Sequence, residues 1–511
     1  MRNPVENTLS KQLSRRSFVN GLATIAAASA VPGGFLLGRG TAHASENSSS
    51  EDQRFLIVVG ATGGANISDC FLPALMSQAQ SPELANTIVN YPDGVVVQPE
   101  GSNIQAVKYL GLSPLFTSDY SPETFVSKYH EDMLVMANEV TSVNHMVAQK
   151  RSITGNGINN GVTLMEAMAL RHGTNMPLPN VNMGVGGYIE PGDDRNIPDW
   201  ARSELITGPA LFAVSTHGTK GILFRPEDEL IDRARGVREE LDTVSPFAHT
   251  FQHSKLRNQY VDKRRNSMPM LEEKDLISLL TLVADSPGIP LNTFGLQSSP
   301  QLPELVETFP LMGADPFQTQ AALAYLMIRH KVSSSVCMGL SYQPTIISPP
   351  APEPPVILDT PLAFDFAHND HLVSQNVMWA RTLKVLDGLI SLLQAAPFDP
   401  ADPGAGSFWD RTLIYVATDF GRSKTRPDGS YAFGTGHHLN NGSLLISPLL
   451  GGNKVLGGID HDTGLTKGFD LHSGMTVDGP NQIAEGHVYS TICQALDIDF
   501  PGIINMDAAF S

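Results

Sequence analysis

The chain has 511 residues, of which 41% are hydrophobic and 17% charged, and a formal charge of −18. That composition supports a sizeable core and excludes a largely disordered chain, and the acidic excess excludes nucleic acid and anionic membrane surfaces as partners. The three cysteines, Cys70, Cys337 and Cys493, lie far apart without metal-type spacing, which excludes a disulfide framework and leaves room for one pair at most.

The first element in chain order is a targeting segment. Arg15 and Arg16 precede an Ala/Gly-rich apolar run that closes on the small-residue triplet Ala42, His43 and Ala44, the order of a secretory signal. Ser14, Arg15, Arg16 and Phe18 resemble a twin-arginine signal, with Val19 and Asn20 where Leu and Lys are usual. The resemblance implies the twin-arginine export machinery as a partner and a periplasmic or secreted product. Pro32, Gly33 and Gly34 interrupt the run, which argues against a membrane span, and no later uncharged run is long enough to provide one after cleavage. Removing residues 1–44 discards five basic residues and one acidic residue and leaves a formal charge of about −22. A flexible linker is expected over residues 45–54.

Next, "RFLIVVGATGG" reads as a strand buried on both faces that opens into a glycine-rich loop, followed by Asn66, Ser68 and Asp69. A second strand, "DMLVMAN", leads into "SVNHMVAQKRSITG" with His145, Arg151, Ser152 and Thr154. The charged stretch around residues 225–285 has helical period and predicts an inserted helical segment whose charges are solvated. "FQTQAALAYLMIRHKVSSSVCMGL" predicts a helix and then a strand, and the proline-rich Gln343–Pro361 an extended loop. "FDFAHNDH" places Asp365, His368, Asp370 and His371 just before a long helix beginning at "HLVSQNV". "RTLIYVATDFG" predicts a further strand ending at Asp419, and a charged loop then returns to His437 and His438. Strands alternating with helices predict an α/β fold, a doubly wound and mostly parallel sheet in one domain over residues 55–511, with ligands beyond the strand C-termini.

Carboxylates and histidines gathered at strand ends are the donors a divalent cation takes, and zinc accepts the mixture. Manganese and calcium are the other candidates. One acid at a strand end is as readily a helix cap, so the expectation rests on the two clusters together: Asp365 with His368 or Asp370 with His371, and Asp419 with His437 and His438.

The segments "VVGATGGANISDCFLP", "NHMVAQKRSITG", "FDFAHND" and "TDFGRS…GTGHH…GGNKVLGG" resemble, in order over most of the chain, the twin-arginine-exported family described as domain of unknown function 1501. That family is grouped with the alkaline phosphatases and sulfatases. The resemblance implies an alkaline-phosphatase-like core, with Asp365 and His368, Asp419, and His438 or His437 as metal ligands, and Asp69 in place of a first-strand acid. It also implies an exported, metal-dependent hydrolase acting on phosphate or sulfate esters, small or polymeric. For that chemistry Ser68, Ser152 and Thr154 are candidate nucleophiles, His145 lines the same pocket, and Arg422 or Arg151 is a candidate clamp for an oxyanion. Cys70 lacks the Cys-x-Pro-x-Arg pattern of formylglycine sulfatases, and a metal-activated water is the alternative to a side-chain nucleophile. Phe420 stands where many superfamily phosphatases carry His, which removes one ligand of a second metal. The competing reading is a non-catalytic envelope or secreted binding protein that retains the fold.

Overall fold

The apolar run Phe55–Gly60 is buried along its whole length and forms β1, the hydrogen-bonded neighbour of two parallel strands. The computed structural model describes residues 52–108, 120–184, 191–216, 226–273, 275–340, 345–347, 356–358, 364–427, 430 and 432–511. The expected export signal and most of the linker lie outside these residues. The strands that complete the sheet are β2 (Met133–Glu139), β3 (Asn180–Met183), β4 (Glu204–Ile206), β5 (Ser335–Gly339), β6 (Thr412–Ala417), β7 (Asn440–Ile446) and β8 (Lys454–Leu456). Among the described residues the sheet has eight strands in the order β8-β2-β7-β6-β1-β5-β3-β4. Only β7 runs antiparallel to its neighbours, so the mixed α/β architecture with a mostly parallel sheet is as expected from sequence.

Alternation along each strand feeds two apolar layers. Phe55, Ile57 and Val59 of β1 join Val135, Val336, Ile414 and Val416 on one face. Leu56 and Val58 join Leu134, Cys337, Leu413 and Tyr415 on the other. The helices that matter below are α1 (Ile67–Phe71), α2 (His145–Ser152), α3 (Leu164–His172), α4 (Asp228–Val244), α5 (Lys255–Glu273), α6 (Pro316–Arg329), α7 (His371–Ala395) and α8 (Glu485–Ala495). Helices α6 and α7 cover the first face, and α3 and α8 cover the second. Asp370 caps α7 by accepting from the Val373 N–H at 3.1 Å, and the helix then presents buried residues at three-and-four spacing down to Leu393. Its Trp379 meets Phe71 and Phe364 edge-on, at ring centroid separations of 5.6 and 5.3 Å. Those rings pin α1 and the Phe364–His368 turn beneath the site.

Two expectations change. Of the proline-rich segment, residues 345–347 and 356–358 are described, and they pair as antiparallel strands rather than lying in an extended loop. All three cysteines are free and buried, so no pair links them. The helical stretch after residue 225 is present as α4 and α5 with short helices around them, and no helix among the described residues is long and apolar enough to cross a membrane.

Burial also sets a pH dependence. His172, at the end of α3, is 3% exposed, and its Nε2 donates to the Leu496 carbonyl at 2.7 Å. Burial pushes its pKa down to about 4, so between about 6.5 and 4 the unfolded chain binds a proton that the folded chain refuses. Its contribution is complete above pH ~6.5 and is lost as pH falls toward 4, by roughly 3 kcal/mol in all. In urea unfolding between pH 7 and 4, wild type should lose stability more steeply than His172→Gln; parallel slopes would assign the acid sensitivity elsewhere.

Candidate metal centre

The site forms where β1 and β6 part company at their C-terminal ends, the crevice in which open α/β sheets bind ligands. After β1 the chain turns through Gly63 and Gly64, at φ of +90° and +75°. Positive φ favours glycine, and both turns need the space as well. A Cβ on Gly63 would collide with the Asp365 backbone nitrogen, and one on Gly64 would lie 2.5 Å from Arg422 Nε. After β6 the chain reaches Asp419, which is completely buried.

Both Asp419 oxygens are taken by protein donors. Oδ1 accepts from the N–H of Gly64 at 2.7 Å and of Phe420 at 3.2 Å. Oδ2 accepts from the N–H of Gly63 at 3.2 Å and from His145 Nδ1 at 2.7 Å. Burial opposes the charge, but the His145 bond and the backbone donors outweigh it and hold the carboxyl below its usual range. The same bond raises the His145 pKa against desolvation.

His145 is the first residue of α2, whose N-cap Asn144 accepts from the Val147 N–H. With Nδ1 bound to Asp419, the ring turns Nε2 toward Asp365, 3.6 Å from Oδ1. Asp365 sits in the Phe364–His368 turn, tied to the first loop by the Phe364 N–H on the Thr62 carbonyl at 3.2 Å.

His437 closes the group. The two-residue strands Gly421–Arg422 and His437–His438 pair antiparallel, with Arg422 opposite His437. The His437 ring stacks on Phe420 at 3.9 Å between centroids, and its Nδ1 donates to the Val143 carbonyl at 2.8 Å. That leaves Nε2 as the lone-pair nitrogen. Burial keeps the His437 pKa below its ordinary value despite that bond. One ligand atom each from His145, Asp365 and His437 lie within 4.8 Å of one another. His368 stands at the rim, its Nε2 2.9 Å from His437 Nε2 and 3.6 Å from Asp365 Oδ1, and burial, then the Arg422 charge, lowers its pKa. The His368–His437 separation is that of a hydrogen bond between the two rings, and His368 stands outside the three-residue group.

The remaining sequence-derived candidates fall elsewhere. Asp419 lies behind His145 rather than beside Asp365, with both of its oxygens already taken by protein donors. His438 points away from His437, and its Nδ1 accepts from the Asn440 N–H at 3.0 Å. Arg422 is fully buried and donates to the carbonyls of Gly63, Phe364 and Thr435 and to Asp365 Oδ1 at 3.3 Å. It fixes Asp365, and this corrects its expected role as a clamp for substrate. Ser152 is buried, with its hydroxyl 3.5 Å from the Asp419 carbonyl, and Arg151 lies by Glu485.

Asp69 and Ser68 belong to a second, buried network rather than to the same pocket. His371 Nε2 is 2.7 Å from Asp69 Oδ2, and His371 Nδ1 is 2.9 Å from Thr435 Oγ1. Lys424 Nζ reaches Ser68 Oγ at 3.1 Å and Asn66 Oδ1 at 3.3 Å. Desolvation lowers the Lys424 pKa, while Asp69, despite its burial, is held low by Lys424 and His371. Ser68 has no exposed surface, so its hydroxyl serves this network and no substrate reaches it. His371 is thereby separated from His368, the alternative that the sequence left open. Sequence reasoning missed Lys424, Thr435, the Phe420 shelf and the Val143 carbonyl. The adjoining "FGRSK" and "GTGHH" held the first two, but no residue type signals a backbone acceptor.

No protein-family model matches the chain, and no curated protein sequence matches it.

Losing the bond behind a metal-binding histidine typically costs 10–100-fold in affinity. Asp419→Asn should therefore weaken zinc binding about 10–100-fold in competition with a chromophoric chelator, with an unchanged circular dichroism spectrum. An unchanged affinity would remove Asp419 from the site.

Proposed function

We propose that the protein is a metal-dependent hydrolase of phosphate or sulfate esters, built on an alkaline-phosphatase-like core and exported by the twin-arginine route. The convergence of one ligand atom each from His145, Asp365 and His437, with Nδ1 of each histidine engaged by an acceptor, carries this reading. Two imidazoles and a carboxylate fit zinc or manganese. Calcium, which prefers an all-oxygen shell, fits poorly. When bound, such an ion supplies Lewis acidity toward an ester oxygen and lowers the pKa of a water.

The chain's own residues do the rest. Asp419 holds the His145 tautomer that keeps Nε2 available, and Arg422 orients Asp365. His368, half-exposed at the rim, is placed to hold or deliver a proton to a leaving group. The candidate hydroxyls are drawn elsewhere, Ser68 to Lys424 and Ser152 toward the Asp419 carbonyl, which supports water rather than either side chain as nucleophile. The same observation supports the second reading, a binding protein that retains the site without turnover.

Elemental analysis and assays with p-nitrophenyl phosphate and sulfate separate the two. Wild type should carry about one equivalent of zinc or manganese and hydrolyse one of the esters. His145→Ala, Asp365→Ala and His437→Ala should lose both metal and at least ~100-fold in rate, and Ser68→Ala should keep both. Stoichiometric metal without turnover would favour the binding protein, and a folded, metal-free wild type would overturn both.

A further inference from the structure

The charged helical segment holds an apolar stripe that composition conceals. Helix α4 has no buried residue along its 17 positions, although a helix owes most of its stability to burying an apolar face. Its Leu230, Val237, Leu241 and Val244 are 57, 51, 51 and 58% exposed, and Ala234 is exposed between them. Their spacing of four, three, four and three is that of a coiled-coil seam, running about 21 Å along the helix. Phe247 and Phe251 continue the apolar surface at 63 and 45% exposure.

The opposite side of α4 is already used. Arg235 pairs with Glu272 of α5, Arg264 of α5 with Glu239 and Asp242, and Arg265 with Glu239. Residues 235, 239 and 242 lie roughly opposite the seam at 3.6 residues per turn, so these ion pairs hold α4 with its apolar stripe outward.

We propose that this seam is a homodimer interface in which α4 packs antiparallel against α4 of a second copy. The flanking charges select that occupant. Setting Leu230 against Leu241 and Ala234 against Val237 of the copy brings Arg233 of each chain beside Glu240 of the other. Both residues are exposed. One two-fold axis thus satisfies both pairs with the same patch, as an isologous interface requires, and flanking charges of this kind set partner and orientation in coiled coils. Leu230 thus meets the C-terminal half of the copy's helix.

Sedimentation analysis of the full chain at about 10 μM, a concentration matched to micromolar association, tests the pairing. Wild type should be dimeric and Val237→Glu monomeric with unchanged helicity. Arg233→Glu and Glu240→Arg, each placing like charges across the axis, should weaken self-association by about tenfold or more. Mixing those two single variants should restore a dimer, because each then meets its opposite charge twice. A monomeric wild type, or a dimer that survives Val237→Glu, would overturn the proposal, as would single variants that fail to pair when mixed.

Discussion

The bond between His145 Nδ1 and Asp419 Oδ2, at 2.7 Å, is the constraint from which the arrangement around the site follows. A carboxylate with no exposed surface is costly unless donors surround it. Here the donors come from three separate pieces of chain: the loop after β1, the turn after β6, and the first residue of α2. Satisfying one buried charge therefore fixes the geometry of all three, and the imidazole that completes the shell can direct its other nitrogen in only one direction.

Around that charge the polar residues divide into two groups with different work. His145, Asp365, His437 and His368 keep partial contact with solvent and turn ligand atoms toward one another. Asp69, His371, Thr435, Lys424 and Ser68 are buried and bond to each other. Arg422 joins the groups, reaching the Thr435 carbonyl on one side and Asp365 on the other. Such a network is expensive when incomplete and rigid when satisfied, and its rigidity is what holds the Asp365 turn against the glycine loop.

Much of this was legible in the residues. The β-branched and apolar runs of β1, β2 and β6, the amphipathic α6 and α7, and the alternation between them were sufficient for a mostly parallel sheet. Asp365, His145 and His437 were each visible as polar groups at strand ends. Their assignment to partners was not, because it depends on pairings across hundreds of residues: His371 meets Asp69, 302 positions away, and His145 meets Asp419, 274 positions away. Asp419 looked like a ligand because a strand-end acid does, and only the donors that take up its two oxygens show it standing behind His145. The seam on α4 was hidden for a different reason. Acids and bases occupy so many of its positions that the stripe emerges only when exposure is known.

The most direct measurement of the centre itself is X-ray absorption at the zinc edge on protein reconstituted with one equivalent of zinc. A site made by His145, Asp365 and His437 requires a nitrogen and oxygen shell near 2.0–2.1 Å with outer-shell scattering from at least two imidazoles and no sulfur. A shell with one imidazole or none, or sulfur near 2.3 Å from cysteines that are buried away from the crevice, would contradict it.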